Sequence, residues 1–133
     1  MDKEMTSSIG AISITMLEAT SALAENLAQS EPILRFRAAE GKLKADPEAL
    51  KLLAELSELQ QKIRTQQLAS EISEIEIKRL RALQNVIGIN ETIQDYGLTQ
   101  ELAASFLREV NQEISQLLGI DFASLTRRSG GCC

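Results

Sequence analysis

The residues best suited to chemistry stand near the end of the chain, where Arg127-Arg128-Ser129-Gly130-Gly131 leads into Cys132 and Cys133. A thiolate can ligate iron or zinc, attack an electrophile or exchange with another sulfur. Neighbouring residues cannot form an ordinary disulfide, because their Cα atoms lie about 3.8 Å apart, below the usual range. Nor can two adjacent thiols complete a four-thiolate iron–sulfur or zinc site by themselves, so ligation would draw the remaining sulfurs from other chains. The residues leave two alternatives open: a ligand pair for a shared cluster, or a tail whose thiols do nothing specific.

A terminal Cys-Cys after glycines also resembles the doubly prenylated end of Rab-type GTPases, but those proteins need a phosphate loop. Around Gly41-Lys42, Phe36 stands where that loop's first glycine belongs and Leu43 replaces its Ser or Thr. The chain has no histidine, which removes the ordinary Ser-His and Cys-His pairs. Its carboxylates alternate with cations at helical spacing, as in Glu55, Glu58 and Lys62. That is the pattern of a solvated helix face rather than of an acid/base site. EF-hand and zinc spacings are absent, and the sequence predicts a protein that is not an enzyme.

One run of cations stands out. Arg35, Arg37, Lys42 and Lys44 against the single Glu40 give 4 − 1 = +3 over Arg35–Lys44, a candidate basic contact patch for RNA phosphates or an acidic partner. The commoner meaning of such a run is a solvated face. The whole chain carries a net charge of −5, which argues against general binding to nucleic acid or anionic membranes. Stacking side chains are scarce too: aromatics make up 3% of the residues, and Phe36, Tyr96, Phe106 and Phe122 mostly occupy apolar helix positions. The expectation is no direct sequence-specific contact with nucleic acid, any RNA being touched through a partner.

The elements that must position these residues are helices. The chain is 133 residues long, the size of one domain. With 44% hydrophobic residues but so few aromatics, its core has to be built from Leu, Ile and Ala, which suits helices side by side better than a sandwich or barrel. The central stretch is Ala45–Ala69. Asp46 can cap a helix, Pro47 fits its first position and Glu48 complements the positive end of its dipole. Ala49, Leu52, Leu56, Leu59, Ile63 and Gln66 then recur at steps of three and four, the seam of a rod roughly 35 Å long packed lengthwise on another helix.

Around that rod the periodicity predicts helices over Ser13–Gln29 and Glu31–Lys44. A further helix opens on a Ser73/Glu76 capping box, and a long one follows Asn90 and ends at Gly119. On the last, Ile89, Ile93, Tyr96, Gln100, Ala103, Leu107, Val110, Ile114 and Leu117 form one continuous phase through Gly97. Ile120, Phe122 and Leu125 are expected to tuck back on the bundle. The predicted fold is all-α, an antiparallel helical bundle with two long heptad-like helices that dimerises through them. The predicted interface is Leu52, Leu56, Leu59 and Ile63 with Leu107, Val110, Ile114 and Leu117, since so much unpaired apolar surface is a liability. Residues 1–12 lack periodicity and read as a disordered N-terminus, 13–125 as the bundle, and 126–133 as a flexible tail.

Ile9–Leu17 followed by Ala22-Leu23-Ala24 imitates a secretory signal, but Asp2, Lys3 and Glu4 sum to −1 where a positive region is required. No apolar run approaches the ~20 residues that span a bilayer. Neither membrane insertion nor export is expected, and the protein reads as cytoplasmic.

The helix order, with Ala22-Leu23-Ala24-Glu25, then Ala45-Asp46-Pro47-Glu48-Ala49 opening the rod, resembles the YlbF/YmcA family of bacterial regulators. The segment Ile72–Leu83, the restart at Asn90 and the close Val110…Ile114…Leu117-Leu118-Gly119-Ile120-Asp121-Phe122 match as well, so that the likeness covers roughly residues 13–133. It implies a helical, non-catalytic protein that assembles with itself and with YmcA/YlbF-like relatives in a cytoplasmic complex with a YaaT-like partner. That complex is associated with the endoribonuclease RNase Y, mRNA processing, competence, biofilm formation and sporulation. It also implies an iron–sulfur cluster shared between subunits, whose ligands would map here only onto Cys132 and Cys133. The alternative to this regulatory adaptor is a generic homo-oligomeric coiled-coil scaffold or holdase with no RNA link.

Overall fold

Short polar side chains accept backbone N–H groups where three of the helices begin, at Ser13, Asp46 and Asn90, and Gly119 ends the longest helix. The computed structural model describes residues 12–71 and 73–126. The N-terminal segment 1–11, the cysteine tail and the flexibility expected of both lie outside the described residues.

Six helices occur among the described residues, with no strand. Helix α1 spans Ile14–Gln29, and the Ser13 hydroxyl accepts from the Met16 amide at 3.2 Å. Helix α2, Glu31–Lys44, follows after the single residue Ser30. Helix α3, Pro47–Leu68, begins at Asp46, whose carboxylate accepts from Ala49 N–H at 3.1 Å. Helix α4 covers Glu74–Ile89 and α5 covers Glu91–Leu118, separated by Asn90. The Asn90 side chain accepts from Ile93 N–H at 3.0 Å. Helix α5 runs unbroken through Gly97 and stops at Gly119, whose φ of 73° is the left-handed conformation that only glycine adopts cheaply. A last turn of helix, α6, spans Phe122–Thr126.

The broadest helix pairings are α2 with α5 and α3 with α4. The chain is therefore a long hairpin whose two sides each break once, at Asp46 and at Asn90. The breaks sit at one level: Leu43, Ala49 and Ile93 form a buried cluster there, with Leu52, Leu53, Ile87 and Tyr96 packed around it. Phe36 and Tyr96 add a tilted ring contact at 5.5 Å between α2 and α5. Small residues let the backbones approach, since Ala39 on α2, Ala49 on α3 and Ala103 on α5 are all buried.

Three expectations need correction. The Ser73/Glu76 capping box does not form: Ser73 makes no side-chain cap bond, and Glu76 is drawn across to Lys62 on α3 at 2.6 Å. An ion pair between helices thus displaces a bond within one. The seam of α5 also departs from the expected phase: Thr99 faces inward, Gln100 and Leu107 are exposed, and so are Ile89, which ends α4, and Leu117, while Phe106, expected to broaden the same face, is half-buried. Thr99 is only 2% exposed, and its hydroxyl donates to the Asp95 and Tyr96 carbonyls, which removes the cost of burying it. Finally, α6 lies on α5 but leaves Ile120, Phe122 and Leu125 exposed.

Candidate interaction surfaces

The eight apolar positions expected at an interface do not share one environment. Leu59 is 6% exposed and Leu52 packs at the central cluster, so both already serve the protomer. Leu56 and Ile63 are half-buried on α3, which packs on α4, and Val110 and Ile114 are half-buried on α5. Leu107 and Leu117 are open, 44% and 86% exposed. Beside Leu117 stand Leu118, Ile120, Phe122 and Leu125, all exposed at the end of α5 and on α6. A second open group, Leu98 and Leu102, lies one turn apart on α5. Their i,i+4 spacing lies outside the apolar phase that runs from Ile93 to Leu117.

Helix α1 is the least covered element. It has no buried residue, and α2 is its main neighbour among the described helices. Ile14, Met16, Leu17 and Leu23 are all exposed, while Leu27 and Ala28, nearest the joint with α2, are half-covered. At 100° per residue its apolar positions span an arc of roughly 180°, with Glu18 and Glu25 along one border.

The four cations of the basic run do not form one patch. Arg35 and Lys42 are a heptad apart on one side of α2, and Arg37 and Lys44 are a heptad apart on the other, with roughly 160° between the pairs. Lys44 is also engaged, donating to Glu40 at 2.9 Å. That hydrogen bond, with the attraction between the two charges, holds its ammonium above the ordinary value of 10.5. Arg35 lies in a groove of about 380 Å³ between α2 and α5, with Pro32, Leu102 and Phe106 as apolar walls and Glu31 and Glu109 as acidic neighbours.

A smaller concavity of about 190 Å³ along the α3/α4 hairpin is lined by Glu55, Glu58, Leu59, Lys62 and Arg79. Beside it the Glu76 side chain is 12% exposed, one oxygen on Lys62 and the other buried without a hydrogen-bond partner. Among the described residues no group of three or more Cys, Asp or Glu is placed to hold a metal. Cys132 and Cys133 lie outside those residues, and as two adjacent thiols they fit at most part of a cluster's ligand set. No helix of the described residues is long and apolar enough to cross a membrane.

Comparison with known proteins agrees with this geometry. A family described as control of competence regulator ComK, YlbF/YmcA, matches residues 16–118. No curated protein matches the sequence. Among solved structures, the chain is similar to one in the crystal structure of Bacillus subtilis RicA in complex with RicF. The TM-score is 0.68 at 19% identity, covering 81% of this chain and 96% of that one. The likeness to that structure is one of fold.

Proposed function

We propose, from the premise that this chain belongs to the YlbF/YmcA family, that it is a non-catalytic regulatory adaptor working by assembly. Its partners are a second copy of itself and YmcA/YlbF-like and YaaT-like proteins. The complex so formed is cytoplasmic and modulates mRNA processing by RNase Y. Cys132 and Cys133 contribute thiolates to an iron–sulfur cluster shared between its subunits, the remaining ligands coming from other chains.

The observation that carries the reading is surface left uncovered. The chain exposes 10974 Å² to solvent, against about 6,900 Å² for a typical folded monomer of its mass. Even when every residue outside 12–71 and 73–126 is allotted the surface of a fully extended chain, an excess of roughly 1,800 Å² remains. A standard protein–protein interface removes about 800 Å² per partner, so the excess accommodates more than one contact. Much of it is contributed by the leucines and isoleucines of α1, α5 and α6, whose exposure in isolation is unfavourable. The lack of histidine and of a phosphate loop supports a role without catalysis.

Anaerobic affinity purification of the full chain from its native cells tests this. Co-recovery of the ribonuclease and a cluster-bearing partner is the expected result. Recovery of miscellaneous unfolded chains would instead identify a holdase and overturn the reading. Joint replacement Cys132→Ser and Cys133→Ser should lower the iron content of the purified complex while leaving the helical content of this subunit unchanged. Undiminished iron would remove the cluster from the proposal.

A further inference from the structure

Four charged side chains that make no ion pair among the described residues are spaced to match one another. Glu18 and Glu25 stand seven residues apart along the border of the apolar arc of α1, and α1 carries no cation. Arg35 and Lys42 stand seven residues apart along one side of α2, whose four cations and two carboxylates leave it net positive. Seven residues of helix span about 10.5 Å, so the two acids and the two bases have the same separation and can pair in a single helix-to-helix contact. Between α2 and α5, next to Arg35, runs the groove walled by Pro32, Leu102 and Phe106, with Glu31 and Glu109 at its margin, while α1 offers Ile14 and Leu17, on the side of the two acids, with no apolar surface closed over them.

We infer that α1 of one copy docks along α2 and the α2/α5 groove of a second copy, with Glu18 and Glu25 opposite Arg35 and Lys42. The inference rests on the reading of this chain as a self-assembling adaptor and assigns the surface through which copies meet. Within one chain the four charges do not pair, although Ser30 alone separates α1 from α2. Between two chains the exchange is reciprocal, each α1 reaching the other's groove, as a two-fold contact requires. Every charge pair then occurs twice. The +3 run of α2 is thereby divided in use: Arg35 and Lys42 receive the second copy, Lys44 is held by Glu40, and Arg37 alone of the four faces away from the contact without a partner.

A trans-complementation experiment decides it. One variant carries Glu18→Lys with Glu25→Lys, and a second carries Arg35→Glu with Lys42→Glu. Each is purified and its mass measured by sedimentation velocity and native mass spectrometry at low salt, with circular dichroism to verify helicity. Four reversed pairs per dimer are expected to weaken self-association of either variant by at least about tenfold. An equimolar mixture is expected to recover native affinity as mixed dimers, because each variant's α1 then meets a complementary α2. The neutral versions, Glu18→Gln with Glu25→Gln and Arg35→Gln with Lys42→Gln, should weaken association less and gain nothing on mixing. Native association of either reversed variant alone, or failure of the mixture to associate while both remain helical, overturns the α1 contact and leaves the adaptor reading standing. A native protein that stays monomeric at every concentration overturns the contact and the self-assembly part of that reading together.

Discussion

The carboxylate of Asp46, which starts α3, accepts a hydrogen bond from the Ala49 amide at 3.1 Å, inside the first turn of the same helix. One side chain thus caps its own helix at the level where Ala49 packs with Ile93 of α5. The bonds from the Ala49 amide, from Thr92 and from the Glu48 amide hold the carboxyl below its ordinary value of 3.8.

A pH dependence follows from Asp46. Its folded value is depressed, so its contribution is present above the unfolded value near 3.8 and is lost as pH falls through the lower folded one. Asp46→Asn keeps a competent cap without the titration. Thermal melts between about pH 5 and pH 2 should show the native chain losing stability more steeply than this variant. Parallel curves would mean the Asp46 bonds do not favour the ionised form.

Asn90 offers a test of the other break without a charge. Asn90→Ala should cost about 1 kcal/mol in urea denaturation, and Asn90→Ser should restore most of it, since a hydroxyl caps nearly as well. Equal losses in the two variants would show that the side chain acts through something other than the 3.0 Å bond to Ile93 N–H.

The Lys62–Glu76 pair joins α3 to α4 at 2.6 Å. Lys62→Ala strands a carboxylate that is mostly covered and should cost about 1–2 kcal/mol, below the loss for a fully buried pair because Lys62 is largely exposed. Adding Glu76→Leu to that variant should return most of the loss. A double variant as unstable as the single one would place the deficit in the packing of the lysine stem.

Leu59 and Leu117 separate folding from assembly. Leu59→Ala should destabilise the protomer by about 2–4 kcal/mol, since the residue is 6% exposed between α3 and α4. Leu117→Ala, at 86% exposure, should change protomer stability by no more than about 0.5 kcal/mol while reducing association measured by light scattering. A large loss of stability at Leu117 would remove it from the contact surface.

The parts of this structure that were legible in the sequence are governed by local chemistry. Asp46-Pro47, Asn90 and Gly119 fix helix ends through bonds to residues three or four positions away, and each acts where its type and spacing indicated. What escaped depends on contacts between helices. Ser73 and Glu76 form a local box on paper, but the ammonium of Lys62 outcompetes it. Thr99 carries no apolar signal, because its burial depends on a hydroxyl that satisfies itself on the Asp95 and Tyr96 carbonyls. The run from Arg35 to Lys44 is dense in sequence, yet a helix turns its members to opposite sides. Which leucines stay open, such as Leu102 and Leu117, follows from where α2 ends and α6 lies, information that periodicity does not contain.

The two breaks at Asp46 and Asn90 give the molecule an elbow. Because both sides break at one level and share the small cluster of Leu43, Ala49 and Ile93, any change of angle between the α3/α4 forearm and the α2/α5 upper arm has to repack those three side chains.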